Sequence, residues 1–270
     1  MGELSKRIIT SFILIGFLIL LFSYGNNYHY ILTIYCISFA SYYEWLRLTS
    51  QSILHIIPFL VFIAIIESTI LLNIPLFLSF YIFLILFLIF LTYFSRSYLQ
   101  QQIQKHPILL GAVLFSCFFI LMINFYPSTN TLSQQPFLID NKHYLIIFIS
   151  LVSFIDMSAY FFGKIMGKNK INSTISPNKT YEGYLGSSVS TLISFILVAN
   201  YFNFYWTILD IILLVFFIIA SFYGDFLMSM IKRIFNAKDT GTLLPGHGGV
   251  LDRLDSYFTT LPIFYLWFLI

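Results

Sequence analysis

Nine apolar runs, each long enough or nearly so to cross a bilayer, constrain this 270-residue chain more than any other feature. They cover residues 8–23, 28–43, 53–72, 76–94, 108–125, 144–162, 184–202, 208–231 and 257–270. A backbone in hydrocarbon must satisfy its own hydrogen bonds, so runs of this length and number fold as helices packed side by side. The expected fold is all-α, a polytopic transmembrane helix bundle of about nine spans. Only 9% of the residues are charged, against roughly 25% in a soluble domain. That excludes a soluble enzyme, and no nucleic acid is expected as a partner.

An odd number of spans puts alternate loops on opposite sides. Lys6, Arg7, Arg47, Arg96, Lys105, Lys164, Lys168, Lys170, Lys179, Lys232, Arg233, Lys238 and Arg253 then share one side, and Lys142 alone faces the other. By the positive-inside rule the N-terminus is cytoplasmic and the C-terminus external. No small-residue cleavage site follows the first run in residues 24–28, so it is read as a helix of the mature chain. Cys36 and Cys117 sit inside apolar runs and are expected to be buried free thiols. The chain is expected to form one integral membrane domain over 1–270, with 1–126 as a helical scaffold and 144–270 carrying the catalytic helices and cytoplasmic loops.

Two cytoplasmic segments, 164–183 and 232–255, collect the ions and glycines. The first begins on the sixth run, where Asp156, Tyr160, Gly163, Lys164 and Gly167 share a helical face. Such a face either lines a polar cavity or uses its small residues to admit a neighbouring helix. A phosphate-binding loop over 163–168 is excluded, because the spacing is one residue short and Asn169 replaces the required Ser or Thr. Ile175-Ser176-Pro177-Asn178-Lys179-Thr180-Tyr181-Glu182-Gly183 reads as a polar turn entering the next helix. It suits a polyphosphate, or is simply a solvated loop obeying the charge rule.

Asp225, Ser229, Lys232 and Arg233 form a stripe along the eighth run. A carboxylate inside an apolar helix needs a partner, which a metal ion or a neighbouring lysine supplies. In Gly246-His247-Gly248-Gly249 the glycines allow a tight turn with open N–H groups. There His247 shapes the loop, donates a hydrogen bond or ligates a metal. Asp252 and Asp255, three apart, are expected at the start of the last helix, facing one point or serving as partners of the helix dipole.

These residues resemble the CDP-diacylglycerol synthase (phosphatidate cytidylyltransferase) family. Its C-terminal signature, Ser-x-apolar-Lys-Arg, four residues, Lys-Asp-x-small, two residues, apolar-Pro-x-His-Gly-Gly-apolar-x-Asp-Arg-apolar-Asp, is met at every position from Ser229 to Asp255. Asp156 with Ala159-Tyr160-Phe161, Gly163-Lys164, Gly167-Lys168 and Ser176-Pro177 through Lys179-Thr180 to Glu182-Gly183 look like its second block. Asn178 is a departure, standing where the family often has Lys. The first five runs match only as a polytopic scaffold.

The resemblance implies transfer of a cytidylyl group from CTP to phosphatidic acid of the inner leaflet, releasing pyrophosphate. It implies Mg2+, held by Asp225, Asp252 and Asp255, and leaves room for an additional monovalent cation and a homodimer. Asp225, Lys238, Asp239, Asp252 and Arg253 would be catalytic. Lys232, Arg233, Lys238 and Arg253 would bind phosphates, Ser229, His247, Gly248 and Gly249 would bind substrate, and Asp156, Lys164, Ser176, Lys179, Thr180 and Glu182 would line the nucleotide side. The implied location is the cell membrane, multi-pass, with the active face cytoplasmic. A transporter would instead show inverted repeats and mid-membrane broken helices, and neither is visible.

Overall fold

The computed structural model describes residues 3–52, 81, 96–125, 141–172, 175–203 and 205–269. The expected spans 53–72 and 76–94, Tyr81 apart, lie outside these residues, as does most of the loop 124–143. The helices are α1 (Glu3–Tyr24), α2 (Asn27–Leu48), α3 (Arg96–Lys105), α4 (Pro107–Phe125), α5 (Asn141–Met166), α6 (Tyr181–Tyr201), α7 (Ile208–Ile234) and α8 (Asp255–Leu269). Between α5 and α6 a small antiparallel hairpin pairs β1 (Lys170–Asn172) with β2 (Ser176–Thr180). Among the described residues α5, α6 and α7 each carry a stretch long and apolar enough to cross a membrane, and α1 and α4 contain shorter apolar ones. The chain is an all-α membrane protein.

By its contacts the chain divides into two compact units, Met1–Leu145 with Ile231–Leu254, and Ile146–Met230 with Asp255–Ile270. In the first unit α2 packs along α4. Trp45 and Tyr42 of α2 meet Phe115 edge-on, each at 5.7 Å between ring centroids. The Trp45 indole N–H reaches the Pro107 carbonyl at 3.0 Å, and the Tyr30 hydroxyl donates to the Met122 carbonyl at 3.1 Å. Buried aromatic rings with satisfied polar ends fix this helix pair. Asn26 caps α2 by accepting the His29 N–H at 3.1 Å, which explains the break after Tyr24.

The second unit is held by Phe148 of α5, whose ring meets Phe217 of α7 at 6.1 Å and Tyr257 and Phe264 of α8 at 5.5 and 5.0 Å. On α6 the buried positions include Gly183, Ser187 and Thr191, while Leu185, Val189, Ile193 and Leu197 are exposed. Small polar side chains inside and large apolar ones outside reverse the soluble pattern, as expected of a helix whose outer face meets lipid. Ser187 bonds Ser158 of α5 at 2.8 Å and donates to the Ile155 carbonyl at the same distance. A Cβ on Gly183 would lie 2.8 Å from the Ala159 carbonyl and 3.1 Å from the Gly163 Cα. Gly163 therefore serves close helix packing, one of the two readings its spacing allows.

Candidate active site

In the first unit α7 ends at Ile234 and the chain turns back through residues 235–254. Asp252 ties this loop. Its Oδ1 accepts from Lys232 Nζ at 2.9 Å, and its Oδ2 accepts the Thr240 and Gly249 N–H groups, both at 2.9 Å. Burial works against this charge, but the Lys232 ammonium and the bonds from Lys232, Gly249 and Thr240 outweigh it, holding the carboxyl below the ordinary carboxylate range. Asp252 is thus ionised at neutral pH, and Lys232 is its counter-ion.

Asp252 does not sit on the last helix, where the sequence places it. Asp252 lies in a 3-10 turn, Leu251–Arg253, and α8 opens only at Asp255. The reason is local: the carboxylate takes the Gly249 N–H three residues back, so the chain closes a loop before the helix begins. Asp255 accepts the Ser256 N–H at 2.9 Å and falls in the second unit.

The turn 244–248 closes through the Leu244 N–H to the Gly248 carbonyl at 2.9 Å and the His247 N–H to the Leu244 carbonyl at 2.9 Å. Gly246 and Gly248 have φ of 79° and 87°, the left-handed region that only glycine enters freely. The Gly249 N–H, expected to be open to an anion, is taken by Asp252. His247 stands against α1, with Nδ1 2.6 Å from the Thr10 hydroxyl and Nε2 3.3 Å from that of Ser11. It shapes the loop. Arg253 donates to the His247 carbonyl at 2.6 Å, and Arg233 to the Ala237 carbonyl at 3.1 Å. Lys238 and Asp239 are exposed on the same loop.

Sequence reasoning missed Glu44 of α2. It is buried, and its oxygens accept from the Thr240 hydroxyl at 3.2 Å, the Val250 N–H at 3.1 Å and the Leu251 N–H at 2.9 Å. The available signal was a lone carboxylate at the end of the apolar run 28–43.

In the second unit Lys179 of β2 pairs with Asp225 of α7, which gives that intra-helical carboxylate the partner it requires. Thr180 caps α6 by accepting the Gly183 N–H at 3.2 Å. Its hydroxyl would meet a Cβ on Gly167 at 2.8 Å, so the glycine lets the turn close on the cap. Glu182 accepts the Lys168 N–H at 3.1 Å, the Asn169 N–H at 3.2 Å and the Asn169 side-chain amide at 2.8 Å. Its carboxylate therefore stabilises the 168–169 turn. Asp156 accepts from the Ser256 hydroxyl at 3.4 Å. Asp156, Asp225 and Asp255 all act electrostatically on the Tyr184 phenol, whose ring stacks on Phe222 at 3.9 Å. Ser176 opens β2, Ser229 is half-buried on α7, and Lys164 is exposed in the last turn of α5.

Among the described residues no three His, Cys, Asp or Glu side chains are arranged as a metal-holding group. Magnesium does not require one, since it commonly takes one or two carboxylates and fills its shell with water and substrate phosphates. Asp156, Asp225 and Asp255 of the second unit are oxygen donors of the kind it takes. Asp252 fits that role less well, because lysine and backbone donors engage both its oxygens.

The molecule is thus a helical membrane protein in which lysine–carboxylate pairs, Lys179–Asp225 and Lys232–Asp252, link α7 to short polar segments. Residues 5–270 match the Cytidylyltransferase family, and the chain belongs to it. Similar proteins include the phosphatidate cytidylyltransferases of Staphylococcus haemolyticus (43% identical over 126 residues), Staphylococcus saprophyticus (41% over 127) and Staphylococcus aureus (40% over 129). In each case the alignment covers 46% of this chain and 48% of the relative. The chain thus spans about half the length of the curated relatives it matches.

Proposed function

We propose that this protein is a CTP:phosphatidate cytidylyltransferase that makes CDP-diacylglycerol and pyrophosphate for membrane phospholipid synthesis. The observation that carries the reading is the 229–255 block, folded so that Asp252 holds Lys232 beside a loop bearing Lys238 and Arg253. Membership of the family and the names of the relatives support it.

In this mechanism a phosphatidate oxygen attacks the α-phosphorus of CTP, a new P–O bond forms, and the bond to the bridging oxygen breaks as pyrophosphate leaves. A phosphomonoester is already largely ionised near neutral pH, so no strong general base is needed. The protein's work is positioning and neutralising charge. Lys232, Arg233, Lys238 and Arg253 face phosphate oxygens, and Lys179, with Ser176 and Thr180, serves the nucleotide side. Lys179 and Lys232 are held ready by Asp225 and Asp252. Magnesium, when bound, would screen the phosphates, and Asp225 and Asp255 are the carboxylates we assign to it.

Purified protein given CTP and phosphatidate should form CDP-diacylglycerol and pyrophosphate in equal amounts. Chelation should abolish the reaction, and ATP should serve poorly. A folded preparation that moves ions in proteoliposomes and makes no liponucleotide would overturn the reading.

The reading keeps 1–270 as one integral domain of the cell membrane, with nine spans, a cytoplasmic N-terminus, and the loops 164–183 and 232–255 on the cytoplasmic face. Support comes from the distribution of basic residues, thirteen against one. With Cys36 and Cys117 replaced, an impermeant thiol reagent should label Asn203→Cys in intact cells and Lys238→Cys only after permeabilisation. Labelling of Lys238→Cys in intact cells would refute this orientation.

A further inference from the structure

We infer that Glu44 is a positioning residue for the signature loop, a latch supplied by the N-terminal helices that sets the register of the loop's two limbs. The inference rests on the cytidylyltransferase reading for its activity readout and on geometry for everything else.

One carboxylate grips the loop at both ends. Its Oε2 accepts from the Thr240 hydroxyl on the outgoing limb and from the Leu251 N–H on the returning limb, and its Oε1 accepts the adjacent Val250 N–H. Glu44 is 1% exposed and Thr240 5%, so water cannot replace these donors without opening the structure. The same two limbs are tied a second time by Asp252, through the Thr240 and Gly249 N–H groups. Two carboxylates, one from α2 and one from the loop itself, therefore pinch one point.

Two glycines of the loop gain a reason. A Cβ on Gly241 would collide with Glu44 Oε1, and one on Gly249 with Glu44 Oε2 and the Thr240 hydroxyl. These positions lack side chains because the carboxylate fills the space. Outside the pinch lie Lys238 and Asp239 on the outgoing limb and Arg253 on the returning one, and within the closed loop lies His247. Their separation is fixed by how tightly the latch closes.

Glu44 touches no substrate in this account, so its effect must pass through loop geometry. Glu44→Gln keeps the volume but turns an amide donor toward either the Val250 N–H or the donors of Leu251 and Thr240. Glu44→Asp keeps the charge and loses the reach. Thr240→Val removes a single bond at nearly constant shape and serves as the milder variant.

The test combines amide hydrogen exchange at Val250 and Leu251 with kinetics per folded molecule and thermal unfolding in the full-length protein. The expected result for Glu44→Gln is faster exchange at those two amides, unchanged exchange in α4, and a kcat/KM for CTP lower by about ten- to hundredfold. Thr240→Val should move all readouts the same way by less, and it decides the matter if Glu44→Gln does not fold. Protected amides with a normal rate per folded molecule would overturn the inference. So would a loss of folded protein with no loss of rate per folded molecule. A wild-type protein that makes no liponucleotide, while Glu44→Gln still opens Val250 and Leu251, would refute the functional reading and leave the latch standing.

Discussion

Replacing Asp252 with asparagine should lower cytidylyl transfer per folded molecule by about a hundredfold or more. The carboxylate accepts on both oxygens, from Lys232 on one and from Thr240 and Gly249 on the other. Asparagine has a single acceptor oxygen. Either its amide faces the ammonium, leaving Lys232 without a counter-ion, or it faces two backbone donors and the loop opens. The Lys232 and Asp252 side chains are only 12% and 7% exposed, and breaking a buried pair from one side typically costs about 3–5 kcal/mol. Movement of the lysine toward water should reduce that figure. The measurement is turnover together with thermal unfolding for Asp252→Asn, Lys232→Met and the double variant. If the residues act as a unit, the double variant should lose much less than the sum of the singles. Near-normal turnover of Asp252→Asn would show that the signature loop does not depend on this pair.

Asp225→Asn should lower turnover by a similar factor, about a hundredfold, but with a different signature. We assign Asp225 and Asp255 to the metal, so either asparagine variant should need more magnesium to reach its half-maximal rate. Asp252→Asn should lower the rate at an unchanged magnesium requirement. Stability should also fall for Asp225→Asn, because the Lys179 ammonium is buried and would lose its counter-ion. A magnesium titration on all three variants separates the roles. An Asp225→Asn protein with wild-type magnesium dependence would remove Asp225 from the metal.

What the sequence made legible was governed by the range of the interactions. Long apolar runs announce helices directly, and α1, α2 and α4 through α8 fall where hydropathy puts them. The hairpin β1–β2 was not legible. Ser176-Pro177-Asn178-Lys179-Thr180 has the composition of a turn, and its strand character comes from pairing with Lys170 and Asn172 across the loop. Asp252 and Asp255 look equivalent at three-residue spacing, yet the Thr240 and Gly249 donors fold the first into the loop and leave the second to open α8. Glu182 bonds the Lys168 and Asn169 amides, a contact spanning 14 residues that spacing does not reveal. Glu44 was hidden most deeply, since its partners lie 196 to 207 residues along the chain.

Passage of a cytidylyl group from CTP to phosphatidate can be followed by the position of a label. Protein in phosphatidate-containing vesicles is incubated with CTP labelled at either the α- or the γ-phosphorus, and the lipid and aqueous products are separated. The α label should enter the lipid, and the γ label should appear only in pyrophosphate. Label from the γ position in the lipid would mean phosphoryl rather than nucleotidyl transfer, and absence of both labels from the lipid would remove CTP as the substrate.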